Sequence, residues 1–228
     1  MANNRTQLCV ILILLAGALL LTGCSGKAET AGASTPEATV KTTAESTPEP
    51  EPVVTPNTNY NTDPVPDGRP NPVEWQDVTP GETQYSCTLS VVCGTILDNM
   101  SNLNKNKAEL VPESGIIFPP TEVTFYENES VFNVLQREMK VARIHMEHRN
   151  TPIYNSAYIM GINNLYEFDC GELSGWMYKV NGWYPNYGCS RYQLKDGDIV
   201  EWVYTCDLGR DIGGGYAVGG QYELEEDE

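Results

Sequence analysis

Residues 174–202 read SGWMYKVNGWYPNYGCSRYQLKDGDIVEW, and they contain the strongest fold signals in the chain. Gly175 to Val180 is typical of a β-strand, and Asn181-Gly182 follows it at once. This dipeptide between two hydrophobic runs favours a tight two-residue hairpin. A second turn at residues 195–198 leads into a strand from Ile199 to Tyr204, which has apolar residues on both faces. The stretch therefore predicts two strands, the second of them partly covered on both sides.

Upstream of this stretch, the chain contains further strand patterns. Residues 85–93 alternate so that four apolar side chains share one face: Cys87, Leu89, Val91 and Cys93. The other predicted strands are short and are separated by turn signals: residues 122–126, 145–148, 157–162 and 165–168. Predicted strands therefore occur along most of the second half of the chain.

Two helices are predicted between these strands. Ser130 is a good N-cap for a helix that ends near Ile144, with one apolar stripe: Val131, Val134, Leu135, Met139 and Ala142. A shorter helix is predicted from the spacing of Leu97, Met100 and Leu103. This order of elements predicts an α+β domain, a β-grasp-like mixed sheet with one main helix.

The N-terminus is typical of a secreted protein. Arg5 precedes an apolar run of about 14 residues, Leu8 to Leu21, which is too short to span a membrane but suits a signal peptide. The run ends in Leu21-Thr22-Gly23-Cys24, which resembles the lipobox of bacterial lipoproteins. We therefore expect a signal peptide over residues 1–23 and a lipid on Cys24. An ordinary signal peptide with an unmodified cysteine is the alternative.

Composition divides the rest of the chain into three parts. Residues 24–80 are rich in Thr, Pro and Glu, and they are predicted to be a disordered tether because they contain few residues that could form a core. Residues 81–218 have the length of one domain, and residues 219–228 form an acidic tail. The formal net charge of −17 argues against nucleic-acid binding, which calls for basic surfaces. We expect the domain to be displayed at the extracellular face of the cell membrane.

The domain contains five cysteines that could form disulfides after export: Cys87, Cys93, Cys170, Cys189 and Cys206. One or two bridges are predicted, with one thiol left over, and the spacing does not determine the pairing. None of these cysteines forms a C-x-x-C motif, and neither histidine stands at zinc-ligand spacing from them. The sequence therefore predicts neither a redox-active pair nor a metal centre.

Two motifs connect the domain to a known family. The patterns W-x-Y-x-V-N-G, starting at Trp176, and L-K-D-G-D-x-V-E-W, starting at Leu194, resemble the transcobalamin-like C-terminal domain. The resemblance covers roughly residues 85–205 and implies a β-grasp-like module. In the animal cobalamin carriers this module forms half of a clamp around a corrinoid, and the other half is a helical barrel. This chain has no room for that barrel, so the resemblance implies a half-site.

The same resemblance places the ligand-facing surface at the hairpin tip and the residues after it. This region is also the densest aromatic patch of the chain, and exposed aromatic residues are typical of contact surfaces. The predicted ligand-binding residues there are Trp183, Tyr184, Asn186 and Tyr187. A second polar-aromatic loop, residues 154–158, would line the same surface if it folds back, which adds Tyr154 and Tyr158. The alternative is that these aromatic residues are core, which applies best to Trp176 and Tyr178 of the preceding strand.

Catalysis has little support, because the chain contains two histidines and no recognisable nucleophile, histidine and acid pattern. His145 and His148 lie three apart on a predicted strand and therefore point to opposite faces, which argues against a metal site. Two hypotheses follow. The first is a non-enzymatic module that binds cobalamin, another corrinoid or a similar flat molecule. The second is a structural or adhesive domain that binds a surface protein or a wall glycan.

Overall fold

The computed structural model describes residue 60 and residues 62–218. The predicted signal peptide, the lipid on Cys24, most of the tether and the acidic tail lie outside the described residues. The α+β prediction is confirmed. The helices and strands are β1 (Gln84–Val92), α1 (Gly94–Asp98), β2 (Ile116–Tyr126), α2 (Val131–Ala142), β3 (Met146–Thr151), β4 (Ser156–Ile162), β5 (Leu165–Tyr166), β6 (Gly175–Val180) and β7 (Ile199–Thr205).

Four strands form a mixed sheet in the order β2-β1-β7-β6. The two central strands, β1 and β7, are parallel, and Val91 pairs with Trp202 between them. The two outer pairs are antiparallel, so that Trp176 of β6 lies opposite Tyr204 of β7. The first and the last strand of the domain therefore meet at the centre of this sheet.

The alternation predicted for β1 is confirmed. Cys87, Leu89, Val91 and the following Cys93 are all buried, because they face the core from the same side of the sheet. On β7, Val203 is buried as well as its neighbours Trp202 and Tyr204, as expected for a central strand with both faces covered.

The main helix, α2, begins at a capping box. The hydroxyl of Ser130 accepts from the backbone N–H of Asn133, and the Asn133 side chain accepts from the backbone N–H of Ser130. The helix ends where Arg143 adopts the left-handed conformation, with φ of 59°. Four residues of the predicted stripe are buried: Val131, Val134, Leu135 and Met139. Ala142 is exposed, because the helix ends there.

Two predictions about helices and strands need correction. The shorter helix, α1, ends at Asp98, and Leu97 and Met100 are exposed, whereas Ile96 and Leu103 are buried. The apolar residues after Asp98 have helical spacing in the sequence, but the chain forms turns there instead of continuing the helix. In addition, β3, β4 and β5 form a second sheet, in the order β3-β4-β5, instead of joining the mixed one.

The turn at Asn181-Gly182 is confirmed. Both residues have positive φ, 51° and 77°, as a two-residue hairpin turn of type I′ requires. The pairing after the turn is a single bridge between Val180 and Trp183, after which the chain leaves the sheet. Residues 184–194 are therefore free to pass towards the second sheet.

Among the described residues, no helix combines the length and the apolar character that crossing a membrane requires.

Candidate functional site

A cavity of about 740 Å³ lies between the two sheets. One side is formed by β4, the opposite side by β6 and β7, and the rim by the loop after the hairpin turn. Residues from both ends of the domain complete the lining: Thr62, Asp63, Ala217 and Val218. Its volume lies within the range of about 300–1,000 Å³ that is usual for small-molecule sites.

Aromatic side chains form much of the wall: Trp176, Tyr178, Tyr187 and Trp202. The Tyr178 ring packs against Trp202 with centroids 5.5 Å apart, and its hydroxyl donates to the carbonyl of Tyr187 at 2.8 Å. Trp176 donates from Nε1 to the carbonyl of Leu165 at 2.8 Å. These bonds hold the rings in fixed orientations, so the wall is preorganised.

Burial also changes the titration of this wall. It raises the pKa of the Tyr178 hydroxyl well above its usual value, and burial raises the pKa of Tyr187 as well. Both phenols therefore remain neutral at physiological pH, and the aromatic wall carries no charge.

Three buried polar atoms of lining residues have no hydrogen-bond partner in the described part of the chain: Asn186 Oδ1, Arg191 Nε and Trp202 Nε1. Leaving such an atom unsatisfied costs about 1–3 kcal/mol, so each one needs an explanation. All three residues line the same cavity. The set consists of two N–H donors and one carbonyl acceptor.

The orientation of the Asn186 amide follows from its neighbours. Its Nδ2 donates to the carbonyl of Pro64 at 2.9 Å and, more weakly, to that of Asp63 at 3.4 Å. Because carbonyl oxygens only accept, the nitrogen must face them, and Oδ1 turns the other way as a free acceptor.

Arg191 is held by a buried ion pair. It is 2% exposed and its partner Glu74 is 5% exposed, with Nη2 and Oε1 2.5 Å apart. Arg191 Nη1 donates to the hydroxyl of Thr62 at 2.6 Å. Glu74 compensates the charge of the guanidinium, so that the free Nε–H acts as a donor in a neutral site. The cavity therefore does not require an anionic ligand.

The N-terminal segment 62–80 lies against the domain, although its composition is that of the predicted tether. The N–H of Val73 donates to the carbonyl of Arg191 at 2.9 Å, and the Tyr187 hydroxyl donates to the carbonyl of Pro70 at 2.7 Å. An extended proline-containing segment has unused carbonyls, and the side chains of the domain bind them. Composition alone gave no sign of these contacts.

The expectation that the hairpin aromatic residues are exposed is wrong. Trp183, Tyr184 and Tyr187 are 5%, 4% and 7% exposed. The guanidinium of Arg69 lies 5.2 Å from the centre of the Trp183 ring and covers it. The tight turn does project the rings out of the sheet, but the N-terminal segment packs over them.

The Tyr184 ring is covered from the other end of the chain. Its backbone N–H donates to the hydroxyl of Tyr216 at 3.1 Å, and a Cβ added to Gly214 would lie 2.9 Å from the ring. Glycine is therefore needed at position 214 for this close approach.

Four of the six predicted ligand-binding residues line the cavity: Tyr154, Tyr158, Asn186 and Tyr187. Trp183 and Tyr184 are not part of its lining. Arg191 and Trp202 also line the cavity, and no binding role was predicted for either of them. Trp176 and Tyr178 are buried, as the alternative of a core position predicted, and both contribute to the lining as well. The apolar residues on both faces of β7 were a signal for Trp202, but no sequence pattern pointed to Arg191 or Glu74.

The two histidines lie in different surroundings. His148 packs edge-on against Phe132, and His145 Nε2 is 2.8 Å from the Tyr166 hydroxyl. Within the part of the chain that the structure describes, no three His, Cys, Asp or Glu residues are placed to hold a metal ion.

Comparison with known proteins finds a family model similar to part of the domain. Residues 128–206 match the family described as a domain of unknown function, DUF4430. Haptocorrin in complex with Cbi is a similar solved structure, with 16% sequence identity and a TM-score of 0.41 over 56% of this chain and 26% of haptocorrin. The chain therefore spans about a quarter of the haptocorrin chain.

A second similar structure comes from Ruminococcus gnavus ATCC 29149 and is provisionally described as a metal-binding protein. It shares 16% sequence identity, with a TM-score of 0.31, over 53% of this chain and 96% of the other. No curated protein sequence matches the chain.

Proposed function

We propose that this chain is a non-enzymatic ligand-binding lipoprotein, displayed on the extracellular face of the cell membrane by a lipid on Cys24. The observation that carries the binding function is the cavity between the sheets, with three unsatisfied polar atoms among its lining residues. A ligand in the cavity would supply the missing hydrogen bonds after a small movement of the lining exposes these buried atoms, and it would remove the cost of leaving them unsatisfied.

The lining selects the chemistry of the ligand. The rings of Trp176, Tyr178 and Trp202 suit a flat or apolar body. Arg191 Nε and Trp202 Nε1 call for acceptors, and Asn186 Oδ1 calls for a donor. A neutral molecule with amide groups meets both requirements. Charged ligands are disfavoured, because Glu74 already neutralises Arg191.

Cobalamin or another corrinoid is the ligand to which the sequence motifs lead. A corrin is a flat ring with amide side chains, so its edge offers carbonyl acceptors and N–H donors together. The described residues contain no helical barrel like that of the animal carriers, and in this proposal a second protein covers the other side of the ligand. The cavity is the half-site in this proposal.

Replacing Trp202 with Phe tests the cavity directly. The substitution removes the free Nε1–H and keeps an aromatic ring, so we expect cobalamin affinity to fall about tenfold, the loss of one hydrogen bond. The free protein should lose little stability from the deleted N–H, because that group has no partner in the described structure. Calorimetric titration of residues 25–228 with cobalamin measures the affinity, and thermal unfolding measures the stability.

Trp75 provides the matched control. Its Nε1 donates to Asn155 Oδ1 at 2.8 Å outside this cavity, so Trp75→Phe deletes the same group without changing the site. Affinity should remain as in the wild type. Absence of heat up to about 1 mM cobalamin would rule out the corrinoid, and equal affinities for Trp202→Phe and wild type would rule out this cavity.

An interaction domain that binds a wall glycan or a surface protein is the second candidate. Ile153 and Tyr154, at the connection between β3 and β4, are 60% and 50% exposed and form an apolar contact surface. This function becomes the better-supported candidate if the titration with cobalamin gives no signal and the chain sediments with purified cell wall.

The anchor has its own test. We expect the N-terminal peptide of the mature chain to begin at Cys24 and to carry the mass of a diacylglyceryl group, which Cys24→Ser removes. Cys9→Ser is the control, because Cys9 lies within the predicted signal peptide and should leave the modification unchanged. Mass spectrometry of the detergent-extracted chain decides the outcome. A mature peptide that begins elsewhere and carries no lipid would contradict the proposal.

A further inference from the structure

Cys170 and Cys206 lie side by side at one end of the mixed sheet. Cys170 is buried in the loop between β5 and β6, and Cys206 follows the last residue of β7 and is half-buried. Both are free thiols in this structure, and they lie close enough for each to influence the pKa of the other. We infer that Cys170 and Cys206 form a disulfide in the exported protein. This inference does not depend on what the cavity binds.

The sheet brings the two segments together. Gly175 at the start of β6 pairs with Thr205 at the end of β7, so the loops beyond these residues continue next to each other. The N–H of Leu208 donates to the carbonyl of Leu173 at 2.8 Å and extends the contact past the ladder. A disulfide needs two Cα atoms about 4.4–6.8 Å apart, and the pairing of the neighbouring segments brings the two cysteines towards each other.

Hydrogen bonds from side chains hold the backbone of each cysteine. The N–H of Cys170 donates to Ser174 Oγ at 3.0 Å, and the Tyr204 hydroxyl donates to the same oxygen at 3.0 Å. On the other segment, the N–H of Cys206 donates to Asp211 Oδ2 at 2.7 Å. The backbone of each cysteine is therefore held in place, and oxidation replaces the weak bond from Cys170 Sγ to the carbonyl oxygen of Asn99 at 3.5 Å.

The other three cysteines have different surroundings. Cys87 lies on β1 and Cys93 directly follows that strand; six residues of extended chain span about 20 Å, which is far beyond disulfide reach. Cys189 directs its sulfur to the carbonyl of Ala157 at 3.5 Å. Among the described residues, the groups that shift the pKa values of these three thiols include no side chain of another cysteine. The structure therefore favours a single pairing.

Bond formation is a two-electron oxidation, and a low-molecular-weight disulfide or a disulfide oxidoreductase is the oxidant. The Cys206 thiolate, the more accessible of the two, attacks one sulfur of that disulfide and releases a thiol. The Cys170 thiolate then attacks the Cys206 sulfur of the mixed disulfide and releases the second thiol. The two cysteines lose two protons and two electrons, and the oxidant is reduced to two thiols.

The timing of this reaction follows from burial. Burial raises the pKa of the Cys206 thiol to about 12, and it raises the pKa of Cys170 as well. Few thiolates exist at neutral pH in the folded domain, so oxidation is slow once folding is complete. The bond therefore forms during folding after export, while the thiols are still exposed.

The disulfide would fasten the C-terminal segment of the domain. This segment starts at Cys206 and reaches Ala217 and Val218, which line the cavity. The bond closes a loop of about 36 residues and removes entropy from the unfolded chain, which should raise the melting temperature by about 10 °C.

Peptide mapping tests the pairing. The full chain is exported to an oxidising compartment of an expression host, extracted in detergent, denatured and alkylated without reduction. We expect a linked peptide pair that joins Cys170 to Cys206, with Cys87, Cys93 and Cys189 alkylated. Five alkylated cysteines, or a bond between any other two, would overturn the inference.

Thermal unfolding with and without dithiothreitol adds a second readout. The wild type should melt about 10 °C lower with the reductant, and Cys170→Ser or Cys206→Ser should abolish that difference. Cys93→Ala is the matched control: it removes another buried thiol and lowers the melting temperature, but it should keep the full difference. Loss of the difference in this control would also contradict the pairing.

Discussion

Replacing Glu74 with Gln is expected to lower the free energy of unfolding by about 3–5 kcal/mol, the usual cost of breaking a buried ion pair. Glu74 Oε1 accepts from Arg191, and Oε2 accepts from the Asn155 amide. Glutamine has the same shape but only one oxygen, so one of these two donors must lose its acceptor. The guanidinium of Arg191 would also remain buried without a compensating charge. Chemical denaturation at neutral pH measures the difference.

Glu201 offers the same substitution at a surface. It pairs with Lys179 at 3.1 Å, and both side chains are partly exposed to solvent. Glu201→Gln should cost less than about 1 kcal/mol, because water screens and replaces the lost partner. Similar losses for the two variants would show that the Glu74 pair does not hold segment 62–80 against the domain.

A double variant separates the loss of charge pairing from the loss of packing. Glu74→Leu with Arg191→Met replaces both charges by apolar groups of similar size, and such exchanges are often close to neutral. We expect it to be more stable than Glu74→Gln. A double variant that is less stable than the single one would show that the hydrogen bonds around the pair matter more than its charges.

Replacing Gly188 with Ala is expected to destabilise the domain by about 3 kcal/mol, near the upper end for overpacked cores. An added Cβ would lie 1.7 Å from Ser156 Oγ and 2.3 Å from Ser156 Cβ. Ser156 is buried at the start of β4, and its backbone is paired with Thr151 of β3. The loop after the hairpin turn would have to separate from the second sheet, and the cavity would change with it. Thermal unfolding and cobalamin titration measure the two effects.

A second substitution should restore much of this loss. Ser156→Gly removes both clashing atoms, so that the nearest remaining atom to the new Cβ is the carbonyl oxygen of Ala157 at 3.6 Å. The double variant should be about as stable as Ser156→Gly alone, and the two changes should be strongly non-additive. Gly94→Ala is the control, since its added Cβ would meet no atom within 4 Å. Additive losses for Gly188→Ala and Ser156→Gly would contradict the steric explanation.

The secondary structure was predictable because local patterns determine it. The alternation of β1, the stripe of α2 and the dipeptide Asn181-Gly182 each reflect a backbone preference that acts within a few residues. The predicted helix and strand arrangement was wrong where tertiary contacts determine the structure. The short helix α1 ends at Asp98 because Leu97 and Met100 find no core to face.

The candidate site was predictable only in part. Asn186 and Tyr187 line the cavity as the hairpin motif suggested, but Trp183 and Tyr184 are covered by distant segments. The ion-pair partner of Arg191 is Glu74, which lies more than a hundred positions away in the sequence. Neither residue stands out in the sequence, because a lone charge in a polar or mixed segment is usually solvated.

The sequence by itself determined the class of fold, the position of its turns and the five cysteines available for pairing. Only the tertiary structure decided that the two sheets enclose a cavity, that segment 62–80 packs onto the domain, and that Cys170 lies beside Cys206. The physical reason is the range of the forces involved. Turn geometry and amphipathic spacing act between near neighbours in the chain, whereas an ion pair, a cavity wall or a pair of thiols depends on residues that meet only after folding.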